Sequence, residues 1–280
     1  VASSTYFQTA YKIEAQDVQH LSYGSSTAKD VTLSFWVKSN KTGTYQVNFR
    51  LDDTNKMASK AYTINAANTW EYKTLTVAGS TADIIPNDNG NGLMLDFWLA
   101  SGSNYDSGVT SDTYITLSGV NYNAASTVDL GTSTSDYWRI TGVQLEVGKV
   151  ATPFEHRSYG EELALCQRYY QRYGETGAGN YGPTIGYGTF NGTAGSTTAE
   201  VISVFQFPVA MRTGPDFAFS ALSDFDLEPF DNPITALTTF SHSSSFFHTV
   251  SATTTARETG FVGIICMDIA NGWFEFDAEL

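Results

Sequence analysis

The chain is poor in cysteine. Cys166 and Cys266 stand alone among 280 residues, without CxxC spacing, so neither a zinc nor a dithiol motif is present and no disulfide framework can be built. Two buried free thiols are the expectation. Bases are scarce as well: ten stand against fourteen acids up to residue 150, then five arginines and no lysine against fifteen acids. A net charge of -14 repels phosphate backbones and anionic membranes at long range, which sets aside nucleic acid and membrane insertion as modes of action. Long apolar runs are missing too. The longest candidate, Phe261–Met267, falls far short of the ~18–20 residues that cross a bilayer. No basic segment and apolar stretch follow Val1, so no secretory signal is visible and the chain is expected to be a fragment of something longer.

Alternation is what the chain does have. Residues 31–37 (VTLSFWV), 45–51 (YQVNFRL) and 93–99 (LMLDFWL) carry apolar side chains at every second position, the period of a strand with one face in a core. Turn-forming clusters separate them at 39–43, 52–55 and 86–92. Further strands are predicted near 11–15, 61–65, 71–77, 113–118 and 137–147, so about eight short strands point to a β-sandwich of jelly-roll type.

The line from Ile140 to Tyr173, ITGVQLEVGKVATPFEHRSYGEELALCQRYYQRY, closes that domain and opens a helix. Gln144–Val147 continue a strand, Gly148 breaks it, and Pro153 holds Thr152 extended. Ser158 and Glu161 form a capping box. Leu163, Cys166, Tyr170 and Tyr173 share one face at helical spacing and Gly174 supplies a left-handed stop, which predicts a helix of about four turns. Gly, Thr and Ser dominate from 174 to 198, and strands are expected again near 199–207, 216–221, 234–240, 245–251, 259–269 and 272–278. The chain therefore reads as all-β: a jelly-roll sandwich at 1–150, a linker and helix at 151–174, and a sandwich-like β-rich domain at 175–280.

Alternation also assigns faces. With Val31, Leu33, Phe35 and Val37 inward, Trp36 and Lys38 point outward; with Leu93, Leu95, Phe97 and Leu99 inward, Asp96 and Trp98 do. Gln46, Asn48 and Arg50 share that orientation on a third strand. Aromatic rings among amide and charged donors stack on and hydrogen-bond sugars, so these seven residues are candidate glycan contacts. The other reading of the same pattern has the tryptophans covered by a loop, the second domain or another subunit.

Other motifs weigh less. The 86–92 turn has the spacing of a calcium loop but lacks its opening Asp and closing Glu. Gly177, Gly179 and Gly182 satisfy GxGxxG, yet they follow a helix and precede Pro183, so the dinucleotide reading fails. Tyr181, Tyr187 and Phe190, interleaved with glycines, would recognise a receptor or pack at a subunit boundary. Asp224, Asp226, Glu228 and Asp231 read as a solvated acidic loop rather than a glycosidase pair. His242 and His248 have no metal-ligand spacing. With no GxSxG, HExxH or Cys/His signature, no catalytic residue is assigned and no enzyme is expected.

The Ile140–Tyr173 line resembles a segment of bacteriophage tail fibre and related virion appendage proteins, where a jelly roll hands over to a C-terminal β-domain. TLSFWVKSNKTGTYQV, YTINAANTWEYKTLTV from Tyr62 and ITGVQLEVG are similar to the carbohydrate-binding-module jelly rolls of such fibres; FPVAMRTGPDF from Phe207, ARETGF from Ala256 and the terminal FDAEL are similar to the fibre C-terminal domain. The resemblance implies a virion component facing the extracellular medium, bound to other virion proteins and adhering without cleavage to a bacterial surface polysaccharide. It implies a homotrimer, for which Leu163, Cys166, Tyr169, Tyr170 and Tyr173 supply apolar area beyond one core-facing stripe. It also implies no cofactor beyond a structural calcium near the first and last strands, with Glu14 and Glu146 as ligands. A purely structural appendage or decoration protein, or a polysaccharide depolymerase, are the alternatives.

Overall fold

Alternation becomes pairing in the computed structural model, which describes residues 2–174, 186–189, 198–228, 232–239, 244–255, 262–267 and 272–279. The chain divides into two units, Val1–His156 and Arg157–Glu279.

In the first unit the strands are β1 (Tyr6–Glu14), β2 (Val31–Ser39), β3 (Gly43–Leu51), β4 (Lys56–Ile64), β5 (Glu71–Val77), β6 (Asn91–Ser101), β7 (Ile115–Thr116) and β8 (Trp138–Val147). They form a five-stranded sheet in the order β1-β6-β3-β4-β7 and a three-stranded sheet in the order β5-β2-β8. The pairings within both are antiparallel. The chain crosses from one sheet to the other between β1 and β2, β2 and β3, β4 and β5, β5 and β6, and β7 and β8, and a pair of sheets traced this way is the jelly-roll sandwich. Val31, Leu33, Phe35 and Val37 meet Tyr45, Val47, Phe49, Leu51, Leu93, Leu95, Phe97 and Leu99 in one core between the sheets. Each fully buried Phe or Leu there contributes roughly 1.5–3 kcal/mol. Aromatic rings lock the middle: Phe35 meets Phe97 and Tyr62 edge-on at 5.4 and 5.2 Å.

The second unit opens with α1 (Tyr159–Gln167), whose capping box is made in both directions: Ser158 Oγ accepts from Glu161 N and Glu161 Oε2 accepts from Ser158 N at 2.9 Å. The helix runs nine residues, about two and a half turns rather than the expected four. Instead of continuing to Gly174, the chain turns after Gln167 and enters β9 (Tyr170–Gly174), paired with β18 (Trp273–Asp277). Cross-strand partners outcompete the helical spacing here: Tyr173 packs edge-on to Phe276, Tyr170 Oη donates to Glu275, and Arg172 lies over Trp273. Gly174 has φ 104° and ends a strand, not a helix.

The remaining strands are β10 (Gly186–Thr189), β11 (Thr198–Gln206), β12 (Asp216–Phe219), β13 (Phe225–Glu228), β14 (Asn232–Pro233), β15 (Ala236–Thr239), β16 (Phe247–Thr255) and β17 (Val262–Met267). Their sheets run β10-β17-β13-β14, β11-β16-β15 and β12-β18-β9. Phe205, Phe207, Phe225, Phe274 and Phe276 carry the core, with Phe225 and Phe274 stacked at 4.5 Å. Asp226 and Glu228 stand in β13 rather than in the expected loop, because Phe225 anchors the strand in that core. Tyr181, Phe190, Asp231, His242, the GxGxxG glycines and the side chains of Tyr187, Asp226, Glu228, His248 and Cys266 lie outside the described residues.

Candidate functional site

Trp36 and Trp98 point away from the core as their alternation requires, but they do not share a face. Trp36 sits on β2 of the three-stranded sheet and Trp98 on β6 of the five-stranded one. Since both sheets turn their inner faces to the same core, their outer faces look in opposite directions.

The face bearing Trp98 is not an open surface. Gln46, Asn48 and Asp96 are fully buried and Trp98 is 2% exposed, beneath Tyr105 and residues 121–125. Tyr122 stacks on the indole at 5.0 Å with planes 10° apart, Tyr105 and Tyr6 close its sides, and Arg50 lies over Tyr122. A sugar ring would need the position Tyr122 occupies. The amides are spent on the covering segment: Gln46 Nε2 donates to Asn121 O, Asn48 Nδ2 donates to Tyr122 O, and Gln46 Oε1 accepts from Ala125 N, all at 2.8–2.9 Å. Asp96 Oδ2 accepts from Trp98 Nε1 at 2.7 Å and faces Arg50 Nη1 at 3.7 Å, while Oδ1 has no partner. Burial dominates and pushes this carboxyl up to about 6, against the pull of Trp98 and Arg50. Gln46, Asn48, Arg50, Asp96 and Trp98 are thus a packed polar layer, as the buried reading of their pattern requires.

The outer face of the three-stranded sheet is different. Directly opposite Trp36 stand Tyr72 on β5 and Thr141 on β8, and opposite Lys38 stands Arg139. Its Thr32 and Ser34 end is covered: Thr32 Oγ1 donates to Gly148 O, and Gln144 and Glu146 hold the chain at Thr152–Glu155. The Trp36 end is open. Trp36 is 44% exposed, Tyr72 45% and Phe154 44%, with the Trp36 and Tyr72 rings 5.4 Å apart. A bulge in β8 makes room for them. Where the β2–β8 register shifts, Gly142 adopts φ 58°, and a Cβ there would stand 3.4 Å from Trp36 Cδ1 and 3.8 Å from Phe154 Cδ2. Trp70, 41% exposed, just precedes β5.

Glu71 fixes that end of β5. Its carboxylate accepts from Asn65 N, Ala66 N, Asn65 Nδ2 and Lys73 Nζ at 2.7–2.9 Å. Burial raises its pKa, but these donors outweigh burial and hold it at about 2. The turn leading to Trp70 and Tyr72 is clamped. Tyr72, Phe154 and Arg139 escaped the reading by residue pattern; only the pairing of β2 with β5 and β8 brings them beside Trp36.

Glu14 and Glu146 lie on different sheets, each engaged within the protein: Glu14 accepts from Gln16 Nε2, and Glu146 accepts from Thr152 N and Oγ1. Among the described residues no three His, Cys, Asp or Glu side chains stand together as a metal site. In α1, no residue is buried; Leu163 is 41% and Leu165 46% exposed, and Cys166 is an exposed free thiol rather than a buried one. Tyr169 and Tyr173 are half-buried and Tyr170 is exposed, so the tyrosines border the β9 sheet rather than a helix face.

No protein-family model and no curated protein matches the chain. Two solved structures of discoidin II from Dictyostelium discoideum, the wild-type protein and the native recombinant one, align over 90% and 91% of this chain and 72% and 76% of theirs, with 10% and 9% identity and a TM-score of 0.21 each. Likeness that loose carries no argument about fold or ligand. The strands themselves define the class: an all-β protein whose first unit is a sandwich.

Proposed function

We propose that the chain is a receptor-binding part of a bacteriophage tail fibre or equivalent virion appendage, and that it adheres to a bacterial surface glycan through Trp36, Tyr72 and Phe154 without cleaving it. The observation that carries the adhesion reading is the exposed aromatic cluster on an otherwise polar sheet face, since rings held in place by a sheet stack on sugars with little ordering cost. The virion setting comes from the sequence resemblance of the joint and the two domains. Trimerisation belongs to the same proposal, and α1 supports an assembly contact: its leucines stay 41% and 46% exposed. A single sugar site binds at about millimolar strength, near -4 kcal/mol, and linked sites gain ~10² to 10⁴ in avidity.

Fluorescently labelled chain applied to an array of bacterial surface polysaccharides should be retained on at least one. Trp36→Ala and Tyr72→Ala should each lose that retention while keeping the wild-type circular dichroism spectrum. Retention on none, or retention indifferent to both variants, refutes the adhesion reading. Light scattering tests the assembly: a monomer, or a trimer that Leu163→Ser with Leu165→Ser leaves intact, removes α1 from the interface.

A further inference from the structure

We infer that the glycan taken by this face is acidic, its repeat bearing a carboxylate or phosphate held between Lys38 and Arg139. The inference rests on the adhesion reading above and adds the chemical class of the ligand. Lys38 and Arg139 are directly opposite across β2 and β8, one alternation step from Trp36 and Thr141. Two cations in that relation repel each other and destabilise a sheet by themselves.

Five other bases of the same unit meet acids, while Lys29 and Lys56 form no ion pair among the described residues. Lys41, Arg50, Lys60, Lys73 and Lys149 each face a carboxylate at 2.7–3.3 Å. Lys38 and Arg139 form no such ion pair among the described residues. Arg139 stacks its guanidinium on Tyr137 with Cζ 4.9 Å from the ring centre, which holds the group flat and leaves its N–H edge for a planar or tetrahedral anion. Carboxylates at this end of the sheet are engaged: Glu71, opposite Val37, by Lys73 and the 65–66 backbone, and Asp136 by Lys41. An anion set between the two cations, with its sugar ring on Trp36 and Tyr72, would relieve the repulsion and use the rings at once. The acid excess of the chain falls mostly after residue 150, so this face is not in the more repulsive half.

The test is an array carrying each bacterial polysaccharide in two forms, native and with its carboxyl groups reduced or its phosphates removed, probed with full-length chain. Expected is binding to acidic members, lost on neutralisation. Lys38→Met and Arg139→Leu should each weaken it about tenfold or more, the scale of a charge-assisted hydrogen bond, and raised salt should weaken it further. Binding that survives neutralisation and both substitutions overturns the acidic ligand and leaves the adhesion reading standing. Retention on no polysaccharide overturns both. Displacement by inorganic phosphate alone, with no preference for the polymer, also overturns the proposal, because a bare anion site needs no aromatic shelf.

Discussion

Asp96 offers a direct test of whether Tyr105 and residues 121–125 cover the five-stranded sheet. Its side chain is fully buried with one oxygen unpartnered, and burial raises its pKa from 3.8 to about 6. In the unfolded chain the carboxyl loses its proton near pH 4, and in the folded chain only near pH 6. Its contribution to stability is therefore full below pH 4 and is lost as pH rises through 6. A shift of about 2 units corresponds to roughly 3 kcal/mol. Asp96→Asn abolishes this titration while its carbonyl oxygen still accepts from Trp98, and Arg50 keeps Asp52 at 2.9 Å. The new amide N–H carries a burial cost of its own, but that cost does not change with pH. The quantity to measure is thus the wild-type to variant difference in unfolding free energy, by urea titration of the full chain at pH 4, 5, 6 and 7 with circular dichroism. Between pH 4 and 7 the difference should move by about 2 kcal/mol in favour of Asn. A difference that stays flat means Asp96 titrates as an exposed carboxyl, and then the covering segment and the packed polar layer are both wrong.

Glu71→Gln should show the opposite pH profile. With its carboxylate held at about 2 by four donors, wild type should gain roughly 3 kcal/mol over the variant as pH rises from 2 to 5; an equal profile would mean the clamp contributes nothing. Gly142→Ala forces a left-handed φ of 58° on a residue with a Cβ and sets a methyl 3.4 Å from Trp36. About 1 kcal/mol of stability should be lost in thermal unfolding, with weaker glycan retention. Ser158→Ala removes the helix cap and should cost ~1 kcal/mol, read as faster amide hydrogen exchange confined to α1; exchange unchanged there would show that the capping box is not made in solution.

Most of the first unit was legible in its residues. The runs 31–37, 45–51 and 93–99 became β2, β3 and β6 with their apolar faces in one core, because period-two alternation reports burial whatever the partner strand is. Helix length was not legible. Tyr170 and Tyr173 satisfy both a helical spacing from Leu163 and a place in a strand, and the choice was made by Phe276 and Glu275, about a hundred residues away. Cys166 is exposed near the end of a helix in which no residue is buried.

The site shows where alternation stops being informative. It states on which side of a strand a residue lies, and it did so correctly for Trp36 and for Trp98. What stands above that side is decided by tertiary contacts, and here the two outer faces met different fates. Tyr105 and Tyr122 come down onto Trp98, and residues 121–125 are held there through backbone carbonyls and amides that carry no side-chain signature, such as Asn121 O and Ala125 N. Near Trp36, among the described residues of the first unit, the chain runs at Thr152–Glu155, held to one end by Gln144 and Glu146, and adds Phe154 to the open cluster. Tyr72 and Arg139 join it solely because β5 and β8 flank β2. A recognition face on a sandwich is thus a property of strand order and loop path, so composition within one strand can nominate Trp36 but cannot distinguish it from Trp98.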